Sequence, residues 1–162
     1  MNIRDILHTA ISIEKEGINF YTKSAKRIKD ENGRGTLVFL ANEEKRHKAF
    51  FESALKKHGK GDKTSVKLLM TPRLFPKAKD YKGKSASEID LLILEHARDT
   101  EKHSVEFYTV AKSFADEKLR EGLDIVIKEE EQHLSWVEYL LENIRSNDSW
   151  GSLHRHFSLD GG

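Results

Sequence analysis

The sequence predicts an all-α fold: a four-helix bundle of two helical hairpins joined by a long crossover. Three observations predict it. Apolar residues recur at steps of three and four over long stretches. The two prolines, Pro72 and Pro76, both fall mid-chain and leave two long segments free of helix breakers. The second half also echoes the first. Glu14-Lys15 and Phe20-Tyr21-Thr22 recur as Glu101-Lys102 and Phe107-Tyr108-Thr109, and Glu43-Glu44, His47, Glu52 and Leu55 recur as Glu129-Glu130, His133, Glu138 and Leu141. Such self-similarity suggests two related hairpins about a pseudo-twofold axis, with the apolar stripes of all four helices buried together.

The first helix is expected over residues 3–28, with Asn2 as its N-cap and an inward stripe of Ile3, Leu7, Ala10, Glu14, Gly17, Tyr21, Ser24 and Ile28. Asp30-Glu31-Asn32-Gly33 has the composition of a turn. The second helix is then expected over 35–58, with Leu37, Leu40, Glu44, His47, Phe51 and Ala54 inward, and Gly59-Lys60-Gly61 ending it. A connector over 62–85 holds both prolines and shows no sustained period; Leu68, Leu69, Met70, Leu74 and Phe75 are expected to pin it to the bundle. A connector of this length implies a chain that travels the bundle before starting a second hairpin. Ser85-x-x-Glu88 reads as a capping box. It opens a third helix over 87–115 with Leu94, Ala97, Glu101, Ser104, Tyr108 and Ala111 inward. The fourth is expected over 116–145, with Leu119, Leu123, Val126, Glu130, His133, Val137, Leu140 and Ile144 inward. Residues 1–146 form the expected domain. The tail, 147–162, carries Trp150, His154, His156 and Phe157, and is expected to pack irregularly on the bundle or to remain partly mobile.

The length of 162 residues suits one domain with a substantial core. Charged residues make up 34% and hydrophobic ones 37%, the balance of amphipathic helices with solvated outer faces. A net charge of +1 argues against nucleic acid or a membrane surface as the main partner. No apolar run reaches the roughly 18 residues of a membrane span, and Met1 to Asp5 lacks a signal-peptide pattern. Cysteine is absent, which fits the cytoplasm and excludes thiolate-bound clusters and thiolate nucleophiles.

Four acids interrupt the apolar stripes: Glu14, Glu44, Glu101 and Glu130. His47 and His133 follow Glu44 and Glu130 by three residues, one helical turn on the same face. Residues equidistant from a turn lie level in an antiparallel hairpin. The midpoint of 14 and 44 is 29, and that of 101 and 130 falls between 115 and 116, next to the two expected turns. Both pairs should therefore meet at mid-bundle. Burying four ionised carboxylates costs about several kcal/mol each, and no lysine or arginine lies on the stripes to offset this. Two divalent cations would. Oxygen and imidazole donors without thiolate suit iron or manganese and also admit zinc. A Glu from each of two helices with Glu-x-x-His from the other two is the donor set of di-iron and di-manganese carboxylate bundles.

Tyr21 and Tyr108 lie two turns beyond Glu14 and Glu101 on the same stripes, so each hydroxyl is expected either to bond a carboxylate across the bundle or to pack in the core. Gly17 and Ser104, one turn after the first acids, leave room for a bound oxygen species or serve close helix packing. His8, His58, His96, His103, His154 and His156 read as surface or packing residues, and Glu16, Glu43, Glu129 and Glu131 as solvated.

Over residues 3–145 the chain resembles the ferritin-like diiron proteins, above all the diiron domain of rubrerythrins. The matching stretches run from Glu14 to Tyr21, from Glu43 to His47, from Glu101 to Tyr108 and from Glu129 to His133. The resemblance implies that Glu14, Glu44, His47, Glu101, Glu130 and His133 hold two irons, with Glu44 and Glu130 bridging. It implies a non-haem diiron oxidoreductase that reduces hydrogen peroxide; a ferritin-like protein that binds or stores iron and oxidises it with O2 is the alternative. Rubrerythrins usually also carry a cysteine-bound rubredoxin iron. With no cysteine here, electrons are expected from an external, rubredoxin-like donor protein. Where the family has an extra carboxylate, about one turn after Glu101, this chain has His103 and Ser104. By analogy, a homodimer is expected.

Overall fold

The computed structural model describes residues 2–58, 76–147 and 150. They form four α-helices, α1 (Ile3–Ala25), α2 (Glu31–His58), α3 (Ala86–Lys112) and α4 (Glu117–Asn147), with a short 3-10 turn, Ala78–Tyr81, before α3. No strand occurs among the described residues. α1 pairs with α2 and α3 with α4, so the two hairpins expected from the repeat are present. The pinning residues Leu68, Leu69, Met70, Leu74 and Phe75, and the tail histidines His154 and His156 with Phe157, lie outside the described residues.

Each helix starts at a side chain that satisfies free backbone N–H groups. Asn2 accepts from the Arg4 N–H at 2.9 Å. Ser85 and Glu88 form the expected reciprocal box, the Glu88 carboxylate accepting from the Ser85 N–H at 2.8 Å and the Ser85 hydroxyl from the Glu88 N–H at 3.3 Å. Asp116 accepts from the Leu119 N–H at 2.9 Å and opens α4. The start of α2 corrects the sequence reading: Glu31, Asn32 and Gly33 are helical, and the turn is earlier, after Ala25. Asp30 accounts for the shift, because its carboxylate accepts from the Gly33 N–H at 2.8 Å. Gly33 is there for space. A Cβ on it would stand 2.5 Å from the Trp150 ring and 2.9 Å from Ile28.

Trp150 is 2% exposed, and its indole N–H donates to Asp90 Oδ2 at 2.7 Å. This one residue of the tail thus ties the entry of α2 to the first turns of α3. Near the 3-10 turn, Gly83 takes a left-handed conformation (φ 79°), and the Arg27 guanidinium lies over the Tyr81 ring at 4.4 Å.

The core is in two parts. One cluster gathers Phe20, Ile28, Leu37, Leu40, Leu94, Val137, Leu140 and Trp150. The other gathers Leu7, Ala10, Phe51, Ala54, Phe107, Ala111, Leu119 and Leu123. Between them along every helix lie the acidic stripe positions. Glu130 is 13 residues into α4, about 20 Å from its start. The acids therefore occupy a layer with an apolar plug above and below.

The Gly33–Trp150 contact gives a test. Alanine normally stabilises a helix interior by about 1 kcal/mol over glycine, yet Gly33→Ala should destabilise the fold by about 1–3 kcal/mol through overpacking. In a Trp150→Ala background that penalty should shrink to what the Ile28 contact leaves. Thermal or urea unfolding of the double-mutant cycle reads it; additive effects would contradict the contact.

Candidate metal centre

Glu14 of α1, Glu44 and His47 of α2, Glu101 of α3, and Glu130 and His133 of α4 converge in the layer between the plugs. None is more than 2% exposed. They converge because each sits on the same helical stripe as the core residues around it, so burying the stripe buries the acid with it. The two imidazole rings, from separate hairpins, are 5.8 Å apart between centroids.

Glu14, Glu44, His47 and Glu130 offer ligand atoms that all lie within 4.8 Å of one another, and so do Glu44, Glu101, Glu130 and His133. Glu44 and Glu130 belong to both groups. Glu130 faces both ways: Oε1 is 3.1 Å from His47 Nδ1, and Oε2 is 3.6 Å from His133 Nδ1. His47 Nδ1 is also 3.9 Å from Glu14 Oε2, and His133 Nδ1 is 3.9 Å from Glu101 Oε2.

The outer acids are held crosswise. The Tyr21 hydroxyl of α1 donates to Glu101 Oε1 of α3, and the Tyr108 hydroxyl of α3 donates to Glu14 Oε1 of α1. The two roles expected for these tyrosines are thus combined: each hydroxyl bonds across the bundle while its ring packs in an apolar cluster. The cross-bundle bond leaves the second oxygen of each glutamate aimed inward. Gly17 serves close approach, because a Cβ there would lie 3.1 Å from the Glu44 carboxyl carbon. Its repeat counterpart, Ser104, is buried, whereas His103 is exposed and turns its Nδ1 to the Asp99 carbonyl at 2.5 Å.

Burial pushes the carboxyls of Glu44 and Glu101 well above the usual range, helped by their acidic neighbours. Burial also raises Glu14, to about 7. Burial would lower the His47 imidazole, but the carboxylates of Glu130, Glu14 and Glu129 outweigh it and raise it to about 9. Burial would likewise raise Glu130, yet the imidazoles of His133 and His47 hold it well below the carboxylate range. Both tyrosine hydroxyls are pushed up by burial and by the carboxylates they face.

The orphaned atoms test whether a cation fits. Glu14 Oε2, Glu44 Oε1, Glu101 Oε2, both oxygens of Glu130, and Nδ1 of His47 and of His133 are buried without a hydrogen-bond partner. An unsatisfied buried polar atom costs about 1–3 kcal/mol, and these are clustered and can all present lone pairs inward. A pair of divalent cations answers that arrangement in both charge and donor type, with oxygen and imidazole nitrogen suited to iron or manganese and acceptable to zinc.

One participant escaped the sequence reading. Glu129, expected to be solvated, is only 28% exposed and bonds the outer nitrogen of His47, with 2.9 Å between its Oε2 and His47 Nε2. Its other oxygen accepts from Arg46 Nη2 at 2.9 Å. The other described histidines stay outside the layer: His96 faces the Leu92 carbonyl and His58 faces Asp116.

Fold and site together define a ferritin-like helical bundle with buried Glu and His groups able to hold metal. Solved structures support the fold. A hypothetical protein from Pyrococcus furiosus is 21% identical, with a TM-score of 0.76 over 90% of this chain and 91% of that one. A protein from Thermotoga maritima, described in its structure's own heading as a putative ferritin-like diiron-carboxylate protein, is 24% identical, with a TM-score of 0.66 over 88% of this chain and 95% of that one. No curated protein matches the sequence. The rubrerythrin family model matches residues 5–141, and the chain belongs to that family.

The shifted groups set the pH dependence of the metal-free fold. Glu14, raised from 4.5 to about 7, and His47, raised from 6.5 to about 9, hold protons that the unfolded chain has already released. Their stabilisation is complete below 4.5 and 6.5 and is lost as pH rises through about 7 and then about 9. Glu130 acts oppositely, but only below 4.5. The melting temperature of chelator-treated protein should therefore fall from about pH 5 to about pH 9. A flat or rising profile would contradict the buried-acid layer.

Proposed function

We propose that the chain is a diiron oxidoreductase that reduces hydrogen peroxide with electrons from a separate donor protein. The observation that supports this reading is the sharing of Glu44 and Glu130 between two ligand groups, an arrangement suited to two metal ions side by side. Glu14 and His47 would complete one position, and Glu101 and His133 the other. A pair of ferrous ions held there would supply two electrons, one from each, enough with two protons to reduce one hydrogen peroxide to two waters.

The chain's own residues prepare that step. Tyr21 and Tyr108 keep the outer carboxylates from swinging away. The apolar plugs keep bulk water out of the layer and strengthen every charge interaction within it. Glu44 and Glu130 would each lie beside both positions, so the two ions would be held close together. These 162 residues contain no cysteine, so the returning electrons come from outside them, from a rubredoxin-like carrier. We place the protein in the cytoplasm, as a homodimer. No helix among the described residues is long and apolar enough to cross a membrane.

Anaerobic titration of the ferrous protein with peroxide tests the reading. Oxidation should be complete at one peroxide per pair of irons, and a reduced rubredoxin should restore the ferrous form. Glu44→Ala and His133→Ala should each lower turnover by more than the roughly 10- to 100-fold typical of a group that only supports a ligand. Unchanged turnover in either variant would sink the proposal. Faster oxidation by O2 than by peroxide, in a particle of many chains, would instead select iron oxidation and storage.

A further inference from the structure

The two halves of the site differ in what stands behind each imidazole. Behind His47 is a charged clamp. Glu129 Oε2 lies 2.9 Å from His47 Nε2, while Glu129 Oε1 accepts from Arg46 at 2.9 Å. Glu43 pairs with the same guanidinium. Beside His133 are aromatic rings instead, Phe39 edge-on at 6.3 Å and Trp136 at 5.6 Å between centroids. The repeat predicts the same clamp there, and the sequence breaks it. Position 132, the counterpart of Arg46, is Gln. Glu43, the counterpart of Glu129, is bound to Arg46, and among the described residues no hydrogen bond joins it to His133.

The chemistry follows from the tautomer. An imidazole whose Nε2–H donates to a carboxylate presents its lone pair at Nδ1, and the negative charge behind it makes that lone pair a stronger donor. His47 Nδ1 is the atom that faces Glu14 and Glu130. Arg46 keeps Glu129 ionised and aimed. An exposed Arg–Glu pair alone would contribute little, but this one ends on an imidazole that is 2% exposed.

We infer that Glu129, held by Arg46, is a positioning residue that makes the Glu14–Glu44–His47–Glu130 position take its metal more tightly than the Glu44–Glu101–Glu130–His133 position. This rests on the two-metal reading above and adds an order of filling to it: the His47 position first, the His133 position second. The second position, backed by rings and not by a carboxylate, is then the one that loses its ion first.

Cobalt(II) titration of the chelator-treated full chain tests it, read by calorimetry and by the visible ligand-field bands. The expected wild-type result is two resolved binding steps. Glu129→Gln, which keeps the shape and a hydrogen-bond acceptor but removes the charge, should weaken the tighter step by about 10- to 100-fold and shift its bands. The weaker step should be unchanged. Arg46→Met should weaken the same step by less. In a His47→Ala background, Glu129→Gln should have no further effect. Two cobalt ions bound with the Glu129→Gln steps and bands as in wild type would overturn this inference and leave the two-metal reading standing, as would an equal loss in both steps. Uptake of fewer than two ions by wild type would overturn both.

Discussion

Four carboxylates share one water-poor layer, and the rest of the molecule is arranged around that repulsion. Glu14, Glu44, Glu101 and Glu130 are each at most 1% exposed, with apolar clusters on both sides of them. Protons can take the place of cations in this layer. Glu14, Glu44 and Glu101 retain protons well above the ordinary carboxylate range, and His47 stays charged beside an ionised Glu130. Protons and metal ions therefore compete for the same lone pairs, so metal uptake releases protons and grows stronger as pH rises.

The bundle holds this layer by symmetry and then departs from it. Tyr21 reaches across to Glu101 as Tyr108 reaches across to Glu14, so each hairpin positions an acid of the other. The departures are local. Gly17 makes room for the Glu44 carboxyl where the other half has Ser104. Phe50, pressed over Gly122, stands where the repeat has Trp136 beside His133. Arg46 stands where the repeat has Gln132. Two chemically related positions thus sit in unlike surroundings, one ionic and one aromatic.

The site was legible in the sequence to the extent that it broke a pattern. A Glu on an apolar stripe is conspicuous, and four of them level with one another, each pair beside a histidine or a tyrosine, left few physical alternatives. Helix ends were legible where a cap lies next to its helix, as at Asn2 and Ser85. The start of α2 was misread because Asn32-Gly33 has turn composition, whereas that glycine is set by a tail residue more than 100 positions away, Trp150. Glu129 was misread for a related reason. It lies one position off the stripe, and only the approach of α4 to α2 brings it to His47. Its match to Glu43 in the repeat, with Arg46 near by, was the available signal. It could be interpreted only once the neighbouring helix was known.

The central claim is that the acid layer exists to hold two metal ions between Glu44 and Glu130. Anomalous diffraction at the iron edge, from crystals of iron-loaded protein grown without oxygen, tests it most directly. The expected result is two peaks in the layer, both beside Glu44 and Glu130, one next to His47 Nδ1 and the other next to His133 Nδ1. A layer with no such peaks, in which the four acids instead pair with one another through shared protons, would contradict it.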